Sequence, residues 1–462
     1  MPPSPIESLW RDAALDADAL TRLTLRGSDP VLPSSFAVGL AAQTSIALAA
    51  LAATEIGLRR KGSAQRVEVE LREAAIECTA RYTLDGVAPD AWDKLAGLYR
   101  CRSGWVRVHT NFAHHRDALL RCLGLPEGTA TERAAVAQAL ADHDAKAFEE
   151  LATVAGCVVA ALRSFDEWDA HPQSAAVAAQ PLVAIERIGD AQPLAWPRSR
   201  PHDGPLAGLR VLDLTRILAG PFGTRLLANY GADVLLVNAP HLPNIDAIAD
   251  LSRGKRSALA DLREPADREA LRAALADSNV FVQGYRPGAI DALGFGPSAL
   301  AELRPGIVVA SLSAYGESGP WGTRRGFDSL VQTATGFNQA EALAAGSDKP
   351  RAMPLQILDM ASGALLAFGV QAALLRQCKQ GGSWRVSVSL ARTGHWLRSL
   401  GRINDGFRVA QDDGADLMEA STSGWGRLVS VRHAARFSPA NTHPLRPSMP
   451  PGTHPLAWPT SA

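Results

Sequence analysis

Short apolar runs alternate with amphipathic stretches through the second half of the chain. The segments "AGPFGTRLLANYG" and 265–277 have the apolar period of a helix. The runs that separate them are too short and too apolar to be helices. This alternation is typical of a doubly wound parallel sheet, an α/β fold. The strands are predicted at 209–215, 232–238, 279–285 and 306–316.

The first half has a different pattern. Residues 103–125 predict a short strand followed by a helix, and residues 130–165 predict helices, with caps at Thr131 and Asp144. Residues 172–206 are rich in Pro and Ala, which favours a linker. We therefore expect a smaller unit before the linker and the parallel sheet after it.

One stretch, residues 36–58, is long and apolar enough to be considered as a membrane span. It is rich in Ala rather than Leu, and it includes Gln43, Thr44 and Glu55. These features favour a buried helix of a soluble protein, so we expect no membrane association.

An internal repeat relates the two halves. When residues 36–71 are laid over residues 355–390 without a gap, "KGSAQRVEVEL" falls on "QGGSWRVSVSL". Both copies consist of an Ala-rich helix, a Gly turn and an alternating strand. In this register Asp359 lies opposite Leu40, so one half has a carboxylate that the other lacks.

Charge and cysteine content narrow the class of protein. Lys and Arg number 47, equal to Asp and Glu, so no nucleic acid or anionic membrane partner is indicated. The five cysteines form no CxxC pair, which fits a reducing cytoplasm and argues against disulfides and structural zinc. The N-terminus lacks the order of a signal peptide, so we expect a cytoplasmic protein.

Asp359 is the single acidic residue in "PRAMPLQILDMASGALLAFG". Its place before an Ala/Gly-rich helix fits a helix cap and also fits a nucleophile. The partial positive charge of a helix N-terminus is expected to keep this carboxylate ionised. The small residues from Ala361 to Ala364 are expected to leave room for a bulky thioester.

Several longer segments resemble family III CoA-transferases, the CaiB–BaiF group. They include "PLAGLRVLDLTRILAGPFGTRLLANYGADVLLV", "RGKRSALADL", "VFVQGYRPGAIDALGFG", "GFDSLVQTATG" and "ILDMASGALLAFGVQAALL", in family order across 205–400. "GWVRVHTNFAHHRDALLRCLGLP" and "AFEELATVAGCVVAALRSFDEWDAHPQ" are similar to later parts of such a chain, yet they come first here. The resemblance therefore implies a fused or permuted two-half member.

The family resemblance implies an interlocked homodimer, each chain having a Rossmann-like large domain and a smaller α/β domain. On this basis we predict five regions. They are a degenerate copy of the terminal helix–strand element (1–78), a small domain (79–180), a Pro-rich linker (181–206), a catalytic CoA-binding domain (207–400) and a Pro-rich extension (401–462). The end of this extension is predicted to form a strap over a domain.

The resemblance also implies site residues. Asp359 matches the family nucleophile, and Asp328 in "GFD" is expected to cap a loop. Coenzyme A is implied as a substrate, with no permanently bound cofactor. Basic groups suit its phosphates, and a ring suits its adenine. The implied CoA-binding residues are Leu218, Ala219, Arg253, Lys255, Arg256, Gly284, Tyr285 and Arg286.

The implied activity is transfer of CoA from an acyl-CoA to a carboxylic acid, through an aspartyl mixed anhydride and an aspartyl–CoA thioester. Oxyanion donors are open between Gly316, Gly319 and the "AGP" turn. One alternative is an acyl-CoA racemase of the same fold, but racemases have a His in the loop that "RGFDSL" occupies here, and Phe327 and its neighbours supply none. Another is a degenerate acyl-CoA-binding protein, suggested by Leu40 and by departures from the family pattern at Asn238, Ala239 and Gly284.

Other motifs are weaker. His109, His114 and His115 lack further ligands at metal spacing, so we expect no metal site. The absence of GxGxxG argues against a nicotinamide cofactor.

Overall fold

The protein is described by a computed structural model over residues 3–196, 203–440 and 445–459. Its first run of helices comprises α1 (Pro5–Asp12), α2 (Val38–Lys61), α3 (Leu71–Glu77), α4 (Ala113–Cys122), α5 (Arg133–Ala141), α6 (Ala145–Val154), α7 (Phe165–Asp169) and α8 (Pro172–Ala178). The strands of this run are β1 (Leu23–Arg26), β2 (Arg66–Glu70), β3 (Tyr82–Leu84), β4 (Gly97–Cys101), β5 (Gly104–Val108), β6 (Val159–Ala161) and β7 (Ala184–Gly189).

The second run begins near residue 210. Its helices are α9 (Ala219–Asn229), α10 (Ile248–Leu251), α11 (Pro265–Ala276), α12 (Pro297–Leu303), α13 (Asp328–Ala334), α14 (Phe337–Ala344), α15 (Ile357–Gln380) and α16 (Leu390–Ser399). Its strands are β8 (Arg210–Leu214), β9 (Asp233–Asn238), β10 (Arg256–Leu259), β11 (Val280–Gln283), β12 (Val308–Ser313), β13 (Ser383–Ser389), β14 (Met418–Ser423), β15 (Gly426–Val431) and β16 (Ala435–Ser438). Short 3₁₀ helices span Ala17–Arg22, Asp291–Leu293, Gly406–Arg408 and Ala415–Leu417.

Seven strands form the main sheet, in the order β10-β9-β8-β11-β12-β13-β7. Neighbouring strands are parallel except β7, which runs antiparallel to β13. The predicted α/β fold with a parallel sheet is confirmed. The strand order reverses beside β8, and open parallel sheets bind ligands at the carboxyl ends of strands at such a point.

Helices cover both faces of the main sheet, which explains why its strands are apolar throughout. On one face α9 and α15 pack in a large core that also contains α2. On the other face α11 and α12 pack in a separate core with apolar side chains of β8, β9 and β11. Strands buried on both faces lose the alternation of half-exposed strands.

A smaller unit has its own core between the antiparallel sheet β4-β5-β6 and helices α4, α5 and α6. The Asp144 side chain caps α6 by accepting from the Ala147 N–H, as predicted. Thr131 does not cap a helix, because its hydroxyl donates to the Pro126 carbonyl. The prediction of helix through residue 165 is wrong at β6, which pairs with β5.

The internal repeat is visible in the fold. Helices α2 and α15 are both 24 residues long, each is followed by Gly, and each leads into a strand and a second helix. The two long helices pack against each other, and the Gln371 amide donates to the Ala49 carbonyl at 3.0 Å. The two-half organisation is therefore present in three dimensions.

Two helices, α2 and α15, are long and apolar enough by composition to span a membrane. In the fold, 89% of the apolar window of α2 and all of that of α15 are buried. The prediction of a buried helix over residues 36–58 is confirmed, because α2 lies between α15 and the sheet formed by β1, β2 and β16.

Two segments that were predicted as irregular contain regular structure. The predicted linker, 181–206, includes β7, whose backbone completes the edge of the main sheet; residues 197–202 lie outside the described part. The C-terminal region, 401–462, supplies β14, β15 and β16, which pair with strands of the first half. Residues 445–459 lie across the main-sheet unit like the predicted strap: the His454 N–H donates to the Ser257 carbonyl, and the Trp458 indole donates to the Ala274 carbonyl.

Candidate functional site

A cavity of about 370 Å³ opens at the carboxyl ends of β8, β11 and β12, where the strand order reverses. The large unit contributes the loops after β8 and β11, and the smaller unit contributes the start of α4. Six residues predicted from the sequence line this cavity: Leu218, Ala219, Gly284, Tyr285, Arg286 and Asp359.

Asp359 lies in the first turn of α15 but does not cap it. The Asp328 carboxylate accepts hydrogen bonds from the backbone N–H groups of Asp359, at 2.8 Å, and of Leu358. The Asp359 carboxyl makes no side-chain hydrogen bond within residues 3–196, 203–440 and 445–459. Because Asp328 occupies the free amides of the helix, the Asp359 carboxyl, which is 7% exposed, is left to the cavity.

The pKa of this carboxyl is shifted in the direction opposite to the sequence-based expectation. Burial, and then the negative charge of Asp328, raise the pKa of Asp359 well above its ordinary value. Burial also raises the pKa of Asp328 to about 7, although the hydrogen bonds that its carboxylate accepts act to lower it. The helix terminus therefore does not lower the pKa of Asp359 as expected, because Asp328 uses the terminal amides.

The small residues after Asp359 serve close helix packing. A side chain at Gly363 would place its Cβ 2.2 Å from the Ala219 carbonyl oxygen, and one at Gly223 would meet the Gly363 carbonyl oxygen at 2.4 Å. Ala361, Ser362 and Gly363 are buried. The expectation that these residues leave room for a thioester is wrong, because Gly363 packs against α9 and the Ser362 hydroxyl pairs with that of Thr393 in α16.

Two loops of the large unit form the walls at the sheet end of the cavity. Leu218 and Ala219 lie at the start of α9, after Ile217, whose φ of 75° is unusual for a β-branched residue. Tyr285 and Arg286 follow β11, and the Arg286 side chain is exposed and makes no ion pair in the described ranges. These loops offer an apolar turn, a ring and a cation to one ligand.

The other three predicted CoA-binding residues do not line the cavity. Lys255 is fully buried, and its Nζ donates to Asp213, to Thr224 and to the Pro221 carbonyl. Its ammonium therefore holds the first turn of α9 and is not free for a phosphate. Arg253 and Arg256 likewise form ion pairs: Arg253 with Asp250 and Glu419, and Arg256 with Asp233.

The three candidate oxyanion donors differ in their position relative to Asp359. Ala219 of the "AGP" turn lines the same cavity as Asp359. Gly316 lies in a neighbouring, smaller cavity, and Gly319 packs against the Gln173 side chain. Of the three candidates, the "AGP" turn is the one that adjoins Asp359.

The smaller unit contributes cavity residues that were not assigned a role from the sequence. Phe112, His114 and His115 line the cavity from the start of α4. The Phe327 ring stacks on the His109 ring at 3.9 Å and lies 6.0 Å from that of His115. The adjacent histidines stood out in the sequence, but their approach to Asp359 depends on docking between the two units.

Comparison with known proteins places the chain in a family. The profile of CoA-transferase family III matches residues 19–195 and 206–413. The acetyl-coenzyme A transferase nodX of Hypoxylon pulicicidum is 30% identical over 332 residues, which cover 67% of this chain and 56% of that protein. A probable fatty acyl-CoA transferase of Mycobacterium tuberculosis is 38% identical over 210 residues, covering 42% and 52%.

Two solved structures align with part of the chain. A crystal structure of that mycobacterial protein aligns with 32% identity and a TM-score of 0.39, covering 43% of this chain and 58% of that one. A CaiB/BaiF family protein from Brucella suis aligns with 22% identity and a TM-score of 0.38, covering 49% and 65%. The chain spans about half the length of the curated relatives that it matches. It belongs to CoA-transferase family III.

Proposed function

We propose that this protein transfers CoA from an acyl-CoA to a carboxylic acid, with Asp359 as the nucleophile. The proposal depends on one observation above all: the carboxylate that caps α15 is Asp328, so the Asp359 carboxyl faces the cavity without a structural hydrogen bond among the described residues. Relatives of this chain are named as CoA-transferases, among them a succinyl-CoA:glutarate CoA-transferase of Homo sapiens.

The proposed reaction conserves the thioester through four exchanges. The Asp359 carboxylate attacks the acyl-CoA carbonyl, and the C–S bond breaks to give a mixed anhydride and CoA thiolate. The thiolate attacks the aspartyl carbonyl, releasing the donor acid and forming an aspartyl–CoA thioester. The acceptor carboxylate attacks that thioester, giving a second anhydride and free thiolate. Attack by the thiolate on the acceptor carbonyl then forms the new acyl-CoA and restores Asp359.

The surroundings of Asp359 suit this sequence of steps. Its low exposure limits hydrolysis of the anhydride and thioester by water. Each tetrahedral oxyanion needs a donor, and the start of α9 beside Ala219 provides backbone N–H groups at a helix N-terminus. Coenzyme A would contact Leu218, Tyr285 and Arg286, with its sulfur toward Asp359.

A trapping experiment tests this proposal. The purified protein is incubated with a panel of acyl-CoA donors, treated with borohydride or hydroxylamine, digested and examined by mass spectrometry. We expect modification of the peptide that contains Asp359, and none in Asp359→Asn. Asp29→Asn is the matched control, because Asp29 lies at the equivalent end of α2. Absence of an adduct with every donor, together with unchanged exchange activity in Asp359→Asn, would refute the proposal.

A racemase is the second candidate, because His114 and His115 share the cavity with Asp359. A racemase needs a base that can accept a proton from the α-carbon. Burial, and then the charges of neighbouring histidines and arginines, lower the pKa of His115 to about 3, which makes it a weak base. Isomerisation of a chiral 2-methylacyl-CoA without an acceptor acid would favour this candidate over transfer.

We extend the proposal to the assembly and location of the protein. A Rossmann-like CoA-binding domain, an interlocked homodimer and a cytoplasmic location are what the family resemblance implies. The strand order of the main sheet supports the Rossmann-like domain, and the five free cysteines support the location. The homodimer follows from the family resemblance alone. Size-exclusion chromatography with light scattering tests the dimer.

A further inference from the structure

The turn that leads into α9 has strained backbone beside the cavity. Ile217, with its φ of 75°, lines the cavity together with Ala219. The N-cap residue, Leu218, makes no side-chain cap, and the N–H groups of Ala219 and Gly220 have no acceptor in the described part of the chain. Backbone in a sparsely populated region persists only where the surrounding contacts hold it. The start of α9 is therefore fixed by contacts from outside the helix.

One of these contacts comes from Asp213, near the carboxyl end of β8. Asp213 is fully buried, and its Oδ1 accepts from the Thr215 N–H at 2.9 Å and from the Thr215 hydroxyl at 2.6 Å. Thr215 in turn lies directly against the helix start, because a Cβ at Gly220 would be 2.4 Å from the Thr215 Cβ. Asp213 thus fixes the residue on which the first turn of α9 packs.

The other contacts come from Lys255, which directly precedes β10. Its Nζ donates to Asp213 Oδ2 at 3.1 Å, to the Thr224 hydroxyl at 2.7 Å and to the Pro221 carbonyl at 2.9 Å. The side chains of Lys255, Asp213 and Thr224 are all fully buried. A single ammonium therefore joins the end of β8, the first two turns of α9 and the start of β10.

A buried ion pair is a costly way to join these segments. Replacing such a pair by apolar groups of similar volume is often neutral or stabilising, so its use suggests that one precise arrangement is being specified. The arrangement specified here is that of Ala219, whose carbonyl oxygen also packs on α15 at Gly363, one turn after Asp359. A displacement of about 1 Å at a reacting centre can cost about 10²-fold in rate.

We propose that Asp213 and Lys255 are positioning residues that hold the Ala219 N–H toward the acyl carbonyl oxygen during attack by Asp359. This inference rests on the proposed CoA transfer and adds two residues that act without touching the substrate. Because they act through the start of α9, loss of the pair should weaken stabilisation of the oxyanion more than binding of CoA, which is also expected to contact the loop at Tyr285.

Steady-state kinetics test the role of the pair. The double variant Asp213→Asn, Lys255→Met removes both charges together, so no buried charge is left unpaired, and the Asn oxygen can still accept from Thr215. We expect kcat to fall by about 10²-fold, with KM within about threefold of the parent. Thr224→Val keeps the ion pair but removes the hydroxyl bound to Lys255, and its kcat should fall by about tenfold; it decides the question if the double variant does not fold. An unchanged kcat in the variants that fold, or a change confined to KM, would overturn the inference.

A matched control removes another largely buried ion pair. Arg22→Met, Glu55→Gln breaks the pair between the first 3₁₀ helix and α2, and neither residue lines the cavity. Its kcat should stay within about threefold of the parent. An equal loss of kcat in this control would show that removal of any such pair lowers activity, and would overturn the inference.

Infrared spectroscopy distinguishes positioning from a general structural loss. An acyl-CoA with carbon-13 in its thioester carbonyl is bound to Asp359→Asn, which lacks the nucleophile. A hydrogen bond to this carbonyl lowers its stretching frequency, so adding Asp213→Asn and Lys255→Met should raise the frequency, whereas adding Arg22→Met and Glu55→Gln should leave it unchanged. An unmoved band would overturn the inference. An adduct at Asp359 of the parent, together with an unmoved band, would refute this inference alone; absence of any adduct would count against the proposed transfer itself.

Discussion

The Asp328 carboxylate accepts a hydrogen bond from the backbone N–H of Asp359 at 2.8 Å. The first half repeats this arrangement with different residues: Asp29 accepts from the N–H groups of Gly39 and Leu40 at the start of α2. Both halves therefore have a capping carboxylate, but the second half alone has another carboxylate at the position it caps. Helices α2 and α15 both use a capping carboxylate for their structure, whereas the second acid, Asp359, is not needed for capping.

Removal of the nucleophile should abolish transfer. We expect Asp359→Asn to lower kcat/KM for CoA exchange by at least about 10³-fold, because loss of a covalent nucleophile removes the reaction path. Initial rates measured by liquid chromatography of the acyl-CoA products check this. Asp29→Asn should keep its rate within about threefold, since an amide oxygen still accepts from the backbone; an equal loss in both variants would point to a folding effect.

The pH dependence of transfer should report the interaction between Asp328 and Asp359. The attacking group must be ionised, and its pKa is raised by burial and by Asp328. Activity should therefore rise with pH, with a midpoint above the ordinary range of an aspartate. Asp328→Asn removes a negative charge and keeps an acceptor for the helix, so the midpoint should move to lower pH. A profile of kcat/KM against pH checks the direction, and a midpoint that stays or rises would contradict it.

The same pKa shift predicts an effect on stability. A carboxyl whose pKa is raised on folding loses stabilisation as pH rises from its unfolded pKa through its folded pKa. Asp359→Asn lacks this loss, so its free energy of unfolding should exceed that of the parent near about pH 8, by more than it does near about pH 5. Urea unfolding at both pH values measures the difference. A variant that is equally stable, or less stable, at the higher pH would show that burial of the charge is not costly.

Close packing of α9 on α15 can be tested with one methyl group. Gly363→Ala would place a Cβ 2.2 Å from the Ala219 carbonyl oxygen, so the helices must separate. We expect a loss of about 1–3 kcal/mol in the free energy of unfolding, together with reduced transfer, because Asp359 moves with its helix. Gly284→Ala is the control for stability, since its Cβ would meet only Thr215 at 3.9 Å. Equal stability of the two variants would contradict the packing argument.

The first half should not gain reactivity when its missing acid is restored. Leu40→Asp places a carboxyl in the first turn of α2, beside Asp29. The neighbouring segment is occupied by packing: a Cβ at Gly406 would meet the Ser34 carbonyl oxygen at 1.7 Å, and Ser34 and Ser35 bond Glu341. We expect no acyl adduct at residue 40 after borohydride trapping. Labelling there would show that the first half also admits acyl-CoA.

The sequence predicted those features that depend on local pattern. The strands around β8 and β9 and the repeat of α2 in α15 follow from apolar periodicity and from residues close together in the chain. The edge strand β7 was missed, because its backbone is ordered by pairing with β13, almost 200 positions away. A pairing partner at that separation leaves no periodic signal in a Pro- and Ala-rich segment.

The candidate site likewise contains some residues whose place follows from local sequence pattern and others whose place depends on tertiary contacts. Asp359 and the loop at Tyr285 stand beside strand ends and helix starts, so their meeting in the cavity follows from the order of the parallel strands. Lys255 was assigned to CoA as a basic residue, but burial with Asp213 uses its charge. His115 reaches the cavity through docking of the smaller unit, which no local pattern specifies.

Oxygen exchange at Asp359 tests the central claim most directly. In the proposed steps, the released donor acid takes one oxygen from Asp359, and the acceptor acid replaces it. Turnover with an acceptor labelled with oxygen-18 in its carboxylate should therefore leave the label in the peptide that contains Asp359, and in no other peptide. Formation of the new acyl-CoA with unlabelled Asp359 would show that the acid attacks the donor directly, and would contradict the role of Asp359 as nucleophile.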